Sequence, residues 1–387
     1  MSIVARLLRK RMARLALCVV MLGSGVIVAV PSSASSVSSD FVPYIVTRAG
    51  TSGVLYALWQ QGACALQRCV RLERSSNGGR TFTSVSVPPV GHIHPGMLGD
   101  TPVIDELAFV SPSVGYAVEA PNNGPEWLSA TYFLTTNGAK TWRRIDVAPH
   151  VYSFGLATSQ HYVYTITADC LSKGACSKFV LRRAAVGTST WTTVTMPYDI
   201  TRWDGGNLDV AAFGSYVWLT TQDQTTKPYP PYLATSHNEG RTFTTAVQPD
   251  LTSPGVCGII PASAVIVWAD CDGGNMEDGI VYSGDGGTHW ESRSVRELLT
   301  YYGVPAFDPI SSHTAYFINS SHPSTLFRVS SETSPPEKVA SMPKGHYWHA
   351  LDFTNARDGV ALTQNDAPRA QLWSTRNGGR TWRRVTL

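Results

Sequence analysis

Apolar and polar residues alternate along this chain in short runs, each closed by a cluster of Gly, Asn, Asp, Ser or Pro. Residues 104–110 (IDELAFV), 115–119 (GYAVE) and 131–135 (TYFLT) read as three successive strands, with 141–147 (TWRRIDV) as the fourth. The same order returns at 208–213, 216–221, 232–235 and 242–247, and again at 351–354, 359–363, 371–374 and 381–387. Turns fall about every ten residues and no helical period intervenes, so the pattern predicts an all-β fold of four-stranded antiparallel sheets.

One turn sequence recurs between the third and fourth strands. It stands as Ser75-Ser-Asn77-Gly-Gly79-Arg-Thr81-Phe82, Thr135-Thr-Asn137-Gly-Ala139-Lys-Thr141-Trp142 and Ser236-His-Asn238-Glu-Gly240-Arg-Thr242-Phe243. Ser283-Gly-Asp285-Gly-Gly287-Thr-His289-Trp290 and Thr375-Arg-Asn377-Gly-Gly379-Arg-Thr381-Trp382 complete the set of good copies. Ala184 to Trp191 keeps only Thr190 and the Trp, and a region near Val339 keeps almost nothing. Counting both, the closing positions run from 82 to 382 at a mean spacing of about 50 residues, a blade-sized period. Each residue type has a mechanical reason. Asn or Asp accepts backbone N–H groups of the turn, Gly supplies a positive φ, and the aromatic buries a large apolar area as the next strand begins.

In these copies the chain resembles the Asp-box, or BNR, repeat family of sialidases, sortilin-type receptors, xyloglucan-degrading enzymes and a plant photosystem assembly factor. The resemblance covers nearly all of residues 42–387 and implies a single seven-bladed β-propeller with Asp-box turns. Residues 42–48 (FVPYIVT) are then the inner strand of the first blade, so the ring closes without exchanging a strand. It implies little about chemistry, since these relatives share blades rather than reactions. The sialidase pattern is departed from: no Arg-Ile-Pro segment occurs, and convergent arginines to clamp a sugar carboxylate are scarce on the face opposite the boxes.

The N-terminus changes the composition. Arg6, Arg9, Lys10, Arg11 and Arg14 precede an apolar run from Leu15 to Val30, followed by Pro31, Ser32, Ser33 and Ala34. That order predicts a signal peptide over residues 1–34 and a flexible mature start at 35–41, with an uncleaved anchor as the alternative. The mature chain, expected outside the cytoplasm, holds 26 Lys+Arg against 28 Asp+Glu. No surplus of base remains to suggest nucleic acid, and no later run is long and apolar enough for a transmembrane segment. Six cysteines remain, and pairing neighbours gives Cys64–Cys69, Cys170–Cys176 and Cys257–Cys271 as expected disulfides.

In such a blade the box turns lie on the lower face, while the blade-to-blade connections and the second-to-third-strand loops open on the upper face. All three cysteine pairs fall at that upper edge. So do Trp127, Tyr152, Trp203, Asp204, Asn207, Tyr301, Tyr302, Trp348 and His349, a mixture of aromatic platforms and polar groups suited to a sugar or peptide cleft. Asp100, Glu126, Asp204 and Asp308 are the carboxylates a hydrolase could use, since glycoside hydrolysis needs two at a suitable separation. Asp272, Glu277 and Asp278 in DGGNMEDG lack calcium-loop spacing and read as an acidic hairpin, and no histidine pair has zinc-site spacing. Asn319-Ser-Ser321 matches a glycosylation acceptor pattern. The expected function is a secreted, non-catalytic binding or scaffold propeller that recognises an extracellular glycan or a protein or peptide through its upper face, without cofactor or metal. A glycoside hydrolase is the alternative.

Overall fold

The computed structural model describes residues 41–61, 70–90, 103–120, 130–148, 151–172, 175–197, 208–222, 231–246, 256–272, 279–292, 306–311, 313–319, 324–330, 336–342, 347–364 and 371–385. Their strands form seven antiparallel sheets of four, arranged as a β-propeller. Blade one is β1–β4 (Phe41–Arg48, Leu55–Gln61, Val70–Ser75, Thr83–Val85) and blade two is β5–β8 (Val103–Phe109, Gly115–Ala120, Thr131–Thr135, Arg143–Ile145). Blade three is β9–β12 (Tyr152–Thr158, Tyr162–Ser172, Ala175–Ala185, Trp191–Val194). Blade four is β13–β16 (Leu208–Phe213, Tyr216–Gln222, Pro231–Ser236, Thr244–Ala246). Blade five is β17–β20 (Val256–Pro261, Val267–Asp272, Gly279–Ser283, Glu291–Ser292). Blade six is β21–β24 (Ala306–Pro309, Thr314–Ile318, Thr325–Ser330, Glu337–Ser341). Blade seven is β25–β28 (Tyr347–Phe353, Gly359–Gln364, Gln371–Thr375, Arg383–Arg384).

Every blade is continuous in sequence, so the ring closes with no strand exchanged between first and last blades. Each innermost strand touches the next around the axis, and β25 returns to β1. Seven apolar clusters fill the seven blade interfaces. At the closing seam Leu55, Ala57 and Trp59 of blade one bury against Val360, Leu362 and Leu372 of blade seven. A fully buried side chain of this size contributes about 1.5–3 kcal/mol. Aromatic pairs repeat across interfaces: Tyr56 stacks on Phe109 with ring centroids 3.5 Å apart, and Tyr316 on Phe353 at 4.3 Å.

The box turns show why their residues are required. In blade one Ser75 Oγ accepts the Gly79 N–H at 2.9 Å, and Asn77 Oδ1 accepts the N–H groups of Arg80 and Thr81 at 3.1 and 3.0 Å. Asn77 Nδ2 donates to Thr81 Oγ1 at 2.8 Å, and all of these bonds but that from Arg80 recur around Asn137, Asn238 and Asn377. Asn or Asp thus reaches three and four residues ahead. That delays the fourth strand by a residue or two and shortens it: β8 spans three residues where 141–147 was expected. In blade five Asp285 replaces Asn, and His289 meets its carboxylate through both backbone and ring nitrogens. Burial alone would raise the Asp285 pKa, but bonds from His289, Ser283 and Thr288 outweigh it and lower the pKa to about 2.

A second job of the box is not visible in its sequence. The N–H after the Asn or Asp donates to the turn between the blade's first two strands, as in Gly138 N–H to Ser113 O at 2.8 Å and Gly378 N–H to Arg357 O at 2.9 Å. Box turns and first hairpins therefore share one face. We expect Asn137→Ala to cost about 1–2 kcal/mol, because one side chain satisfies several turn partners at once. Urea unfolding measures this, and a change within error would refute the fastening role.

Candidate functional site

The innermost strands should alternate apolar residues toward the blade interfaces with residues on the axis, yet four of them carry carboxylates: Asp105 and Glu106 on β5, Asp209 on β13, Asp308 on β21 and Asp352 on β25. Four of these strands are also irregular. Register shifts leave Tyr44 unpaired in β1, Asp105 in β5, Gly155 in β9 and His349 in β25. A bulge re-aims the side chain it carries and adds twist, and bulges concentrate beside binding sites. Blades seven, one, two and three are consecutive around the ring, so the irregular strands form one arc.

Two acidic clusters result. The first joins blades two, three and four. Gly155 has φ +82°, and a Cβ placed there would lie 2.9 Å from Asp209 Oδ1, so only glycine lets this carboxylate approach the bulge. The Gly155 backbone meanwhile hydrogen-bonds Glu106 from the other side. Burial, then the charge of Asp209, lifts the Glu106 pKa to about 8 against the opposing bond from Gly155. Burial also raises Asp209, against the bond that its Oδ1 accepts from Val210 N–H at 2.8 Å. Asp105 lies exposed on the axis, but the surrounding walls displace enough bulk water to raise it to about 6. Tyr152, half-buried at the start of β9, stands close enough for both Asp105 and Glu106 to reinforce the burial that raises its own pKa. Behind them Tyr132 Oη, Thr165 Oγ1 and Ser153 Oγ form a buried hydroxyl chain with 3.0 and 3.2 Å separations. Asp209 and Tyr152 both lie within the first two residues of their strands, so this cluster belongs to the upper half of the channel.

The second cluster sits at the lower end. The Arg48 guanidinium lies 3.8 Å from both Asp308 Oδ1 and Asp352 Oδ1, and Nη1 donates to the Phe353 carbonyl. The Phe353 N–H donates to Asp308 Oδ2. Burial raises both carboxylates, with Asp352 adding to the rise at Asp308 and Arg48 opposing it at each. Arg48 belongs to blade one, Asp308 to six and Asp352 to seven, so the group braces the seam where no exchanged strand does so.

Several expected site residues are placed differently. Asp308 is inside β21, opposite Tyr316, near the box-side end rather than on an upper loop, and its carboxylate is committed to Arg48 and Phe353. Trp348 is 2% exposed in the interface between blades six and seven, with Trp373 and Trp382 at 6.3 and 6.0 Å, so its ring is not on the upper face. The reason is register: β25 begins at Tyr347, four residues before the expected strand, which carries Trp348 into the core. Asn319 is also buried, its Oδ1 accepting the Thr325 N–H at 2.8 Å, which does not suit a glycosylation acceptor. Tyr152 is at the upper cluster, and the backbone of His349 is at the β25 bulge. Trp127, Trp203, Asp204, Asn207, Tyr301, Tyr302, Asp100 and Glu126, with Cys64 and Cys69, lie outside the described residues. The strand register sets Cys170 opposite Cys176 and Cys257 opposite Cys271. Among the described residues no group of three or more His, Cys, Asp or Glu side chains is arranged to hold a metal ion, and no helix is long and apolar enough to cross a membrane.

Sequence reasoning missed Asp105, Glu106, Asp209 and Asp352 and did not see Arg48 as the partner of Asp308 and Asp352. A signal existed: Asp105 and Asp209 each stand four residues before the Phe that ends the inner strand, and Asp308 and Asp352 each stand next to last in theirs.

No family model matches the chain, and no curated protein matches it. Solved structures do. One is described as YCF48 bound to D1 peptide, with a TM-score of 0.50, 14% identity, and coverage of 74% of this chain and 82% of that one. YCF48 from Cyanidioschyzon merolae gives a TM-score of 0.51 at 13% identity, over 75% and 86% of the two chains. The β-propeller domain of the Trilobed protease from Pyrococcus furiosus gives 0.55 at 9% identity, over 90% and 98%. At these identities the likeness establishes the seven-bladed propeller fold alone.

Proposed function

We propose that the chain is an exported, non-catalytic binding propeller that seats a protein or peptide segment on its upper face, with a cationic group of that segment entering the acidic channel. The observation that carries this reading is the cluster of Asp105, Glu106 and Asp209 beside Tyr152, built on bulged inner strands and held close by Gly155. A site whose acids hold protons near neutrality accepts an amine or guanidinium with proton release, and Tyr152 adds an aromatic wall. The complex of YCF48 with D1 peptide supports a peptide as ligand for a propeller of this design. Export rests on the basic, apolar and small-residue order of residues 1–34. The strand register, which sets Cys170 opposite Cys176 and Cys257 opposite Cys271, supports disulfides at these two pairs, which would rigidify the upper edge.

Fluorescence titration with Lys- and Arg-containing peptides tests the reading. Affinity should rise with pH between about 5 and 9, as Asp105 and Glu106 lose protons that a cation displaces. Asp105→Asn and Tyr152→Ala should each weaken binding, the first by about tenfold. No cationic peptide binding at any pH, or binding indifferent to Asp105, would overturn it.

Glycoside hydrolysis has one observation in its favour. Glu106 is protonated near neutrality with a second carboxylate, Asp209, beside it, as a general acid requires. Release of reducing sugar from a glycan panel, abolished in Glu106→Gln, would select this reading instead.

A further inference from the structure

The outer rim of the closing seam between blades seven and one holds a cavity of about 670 Å³, within the range of ligand clefts. Its lining is unusual for a chain whose mature form has fewer bases than acids. Five arginines, Arg71, Arg80, Arg376, Arg383 and Arg384, surround it with Glu73 as the single acid. That acid is already committed: Glu73 is 1% exposed, and its Oε1 takes bonds from Arg71 Nε and Ser84 Oγ. Arg80 lies 3.6 Å from Asp358. Among the described residues Arg376, Arg383 and Arg384 make no ion pair, and all three are exposed. The fold requires none of them there. The box works in blade five with Gly284 where Arg376 stands, and β20 uses Glu291 and Ser292 where β28 uses Arg383 and Arg384.

The rest of the lining narrows the ligand. Hydroxyls come from Thr81, Ser84, Ser374 and Thr381, and aromatic rings from Phe82 and Trp382. Guanidinium forks match the paired oxygens of carboxylates and sulfates, hydroxyls match hydroxyls, and aromatic rings suit the apolar faces of sugars. An extended peptide is the poorer fit. The edge strands flanking the cleft are three and two residues long, too short to take up another strand by backbone pairing.

We propose that this rim cleft binds an anionic polysaccharide, its carboxylates or sulfates held by Arg376, Arg383 and Arg384 and its rings resting against Phe82 and Trp382. The site is distinct from the acidic channel and stands independently of the peptide reading.

Isothermal titration of the full exported chain with oligogalacturonate, heparin oligosaccharide and poly-glutamate of matched charge tests the proposal. Tight binding of oligogalacturonate identifies a carboxylate sugar, and tight binding of heparin a sulfated one. Arg376→Gln with Arg383→Gln should weaken either by at least about tenfold. The control is Arg143→Gln with Arg144→Gln, the same charge change on exposed residues of β8, expected to shift affinity less than about twofold. Thermal melting of both variants confirms that each remains folded. Equal losses in the two variants would reduce the effect to net charge and overturn a built site. Poly-glutamate binding as tightly as the sugars, or no binding of either sugar, would overturn the ligand class.

Discussion

Trp348→Ala is expected to lower the unfolding free energy by about 3–5 kcal/mol, the range for emptying a buried aromatic site. The indole is 2% exposed, and it joins Met342, Leu351, Phe353, Tyr316 and Leu326 in the cluster between blades six and seven. Trp373 and Trp382 pack beside it with centroids 6.3 and 6.0 Å away, so the cavity left by truncation would be walled by large rings. Those rings are fixed elsewhere. Trp382 closes a box turn, and Trp373 sits in the register of β27, opposite Ala361 and Arg384. Neither can move in to refill the space without breaking its own strand, which places the cost in the upper part of the range. Chemical denaturation should show a lower midpoint with an unchanged slope, since the surface exposed on unfolding hardly alters. Trp348→Phe should lose less. A cost under about 1 kcal/mol for the alanine variant would contradict the burial, and the ring would then have to be free at the surface.

The burial of Trp348 also marks a limit of what is legible in the sequence. The box turns were legible because their geometry admits few residue types. A side-chain acceptor, two positive-φ positions and a hydroxyl donor must follow at fixed offsets, and five copies at a blade-sized period leave little else to build. Even Ala139 and Glu239, which break the glycine pattern, keep φ near +62°. Strand order followed, and β13 spans the expected residues 208–213. Two kinds of information were not local. Whether Trp348 belongs to a loop or to the start of β25 depends on pairing with Thr363, across a hairpin and past a bulge. The acid cluster depends on ring closure still more. Glu106 and Asp209 are two blades apart in sequence and become neighbours only because both strands flank β9 on the axis. Read singly, each looked like the polar member of an alternating strand. The matched positions of these acids in two pairs of inner strands were a signal, but they acquire meaning only once the strands are known to face one channel.

Glu106→Gln is expected to remove most of a fall in stability as pH rises. Burial and the neighbouring Asp209 charge lift the Glu106 pKa from its usual 4.5 to about 8. A raised carboxyl pKa means that the folded chain keeps a proton which the unfolded chain releases. Between roughly pH 4.5 and 8 the native state therefore binds more protons, and by linkage stability declines with rising pH across that window. Below it both states are protonated and above it both are ionised, so the difference levels off at each end. At about 1.4 kcal/mol per unit the wild-type decline is on the order of 3–5 kcal/mol, and the raised pKa of Asp209 adds in the same direction. Glutamine keeps an acceptor for the Gly155 backbone bond but carries no proton to lose. The variant should match the wild type near pH 5 and exceed it clearly at pH 9, while Asp209→Asn should bring a partial gain by removing the charge that helps lift Glu106. Urea midpoints across this range measure both. Parallel pH profiles for wild type and Glu106→Gln would mean that Glu106 is solvated and ionised like a surface carboxylate, and the channel would then hold no protonated acid to exchange for a cation. A cationic peptide should flatten the wild-type profile in the same way as the glutamine substitution, because it compensates the charge that burial disfavours. The stability measurement and the binding measurement are thus two readings of one buried proton.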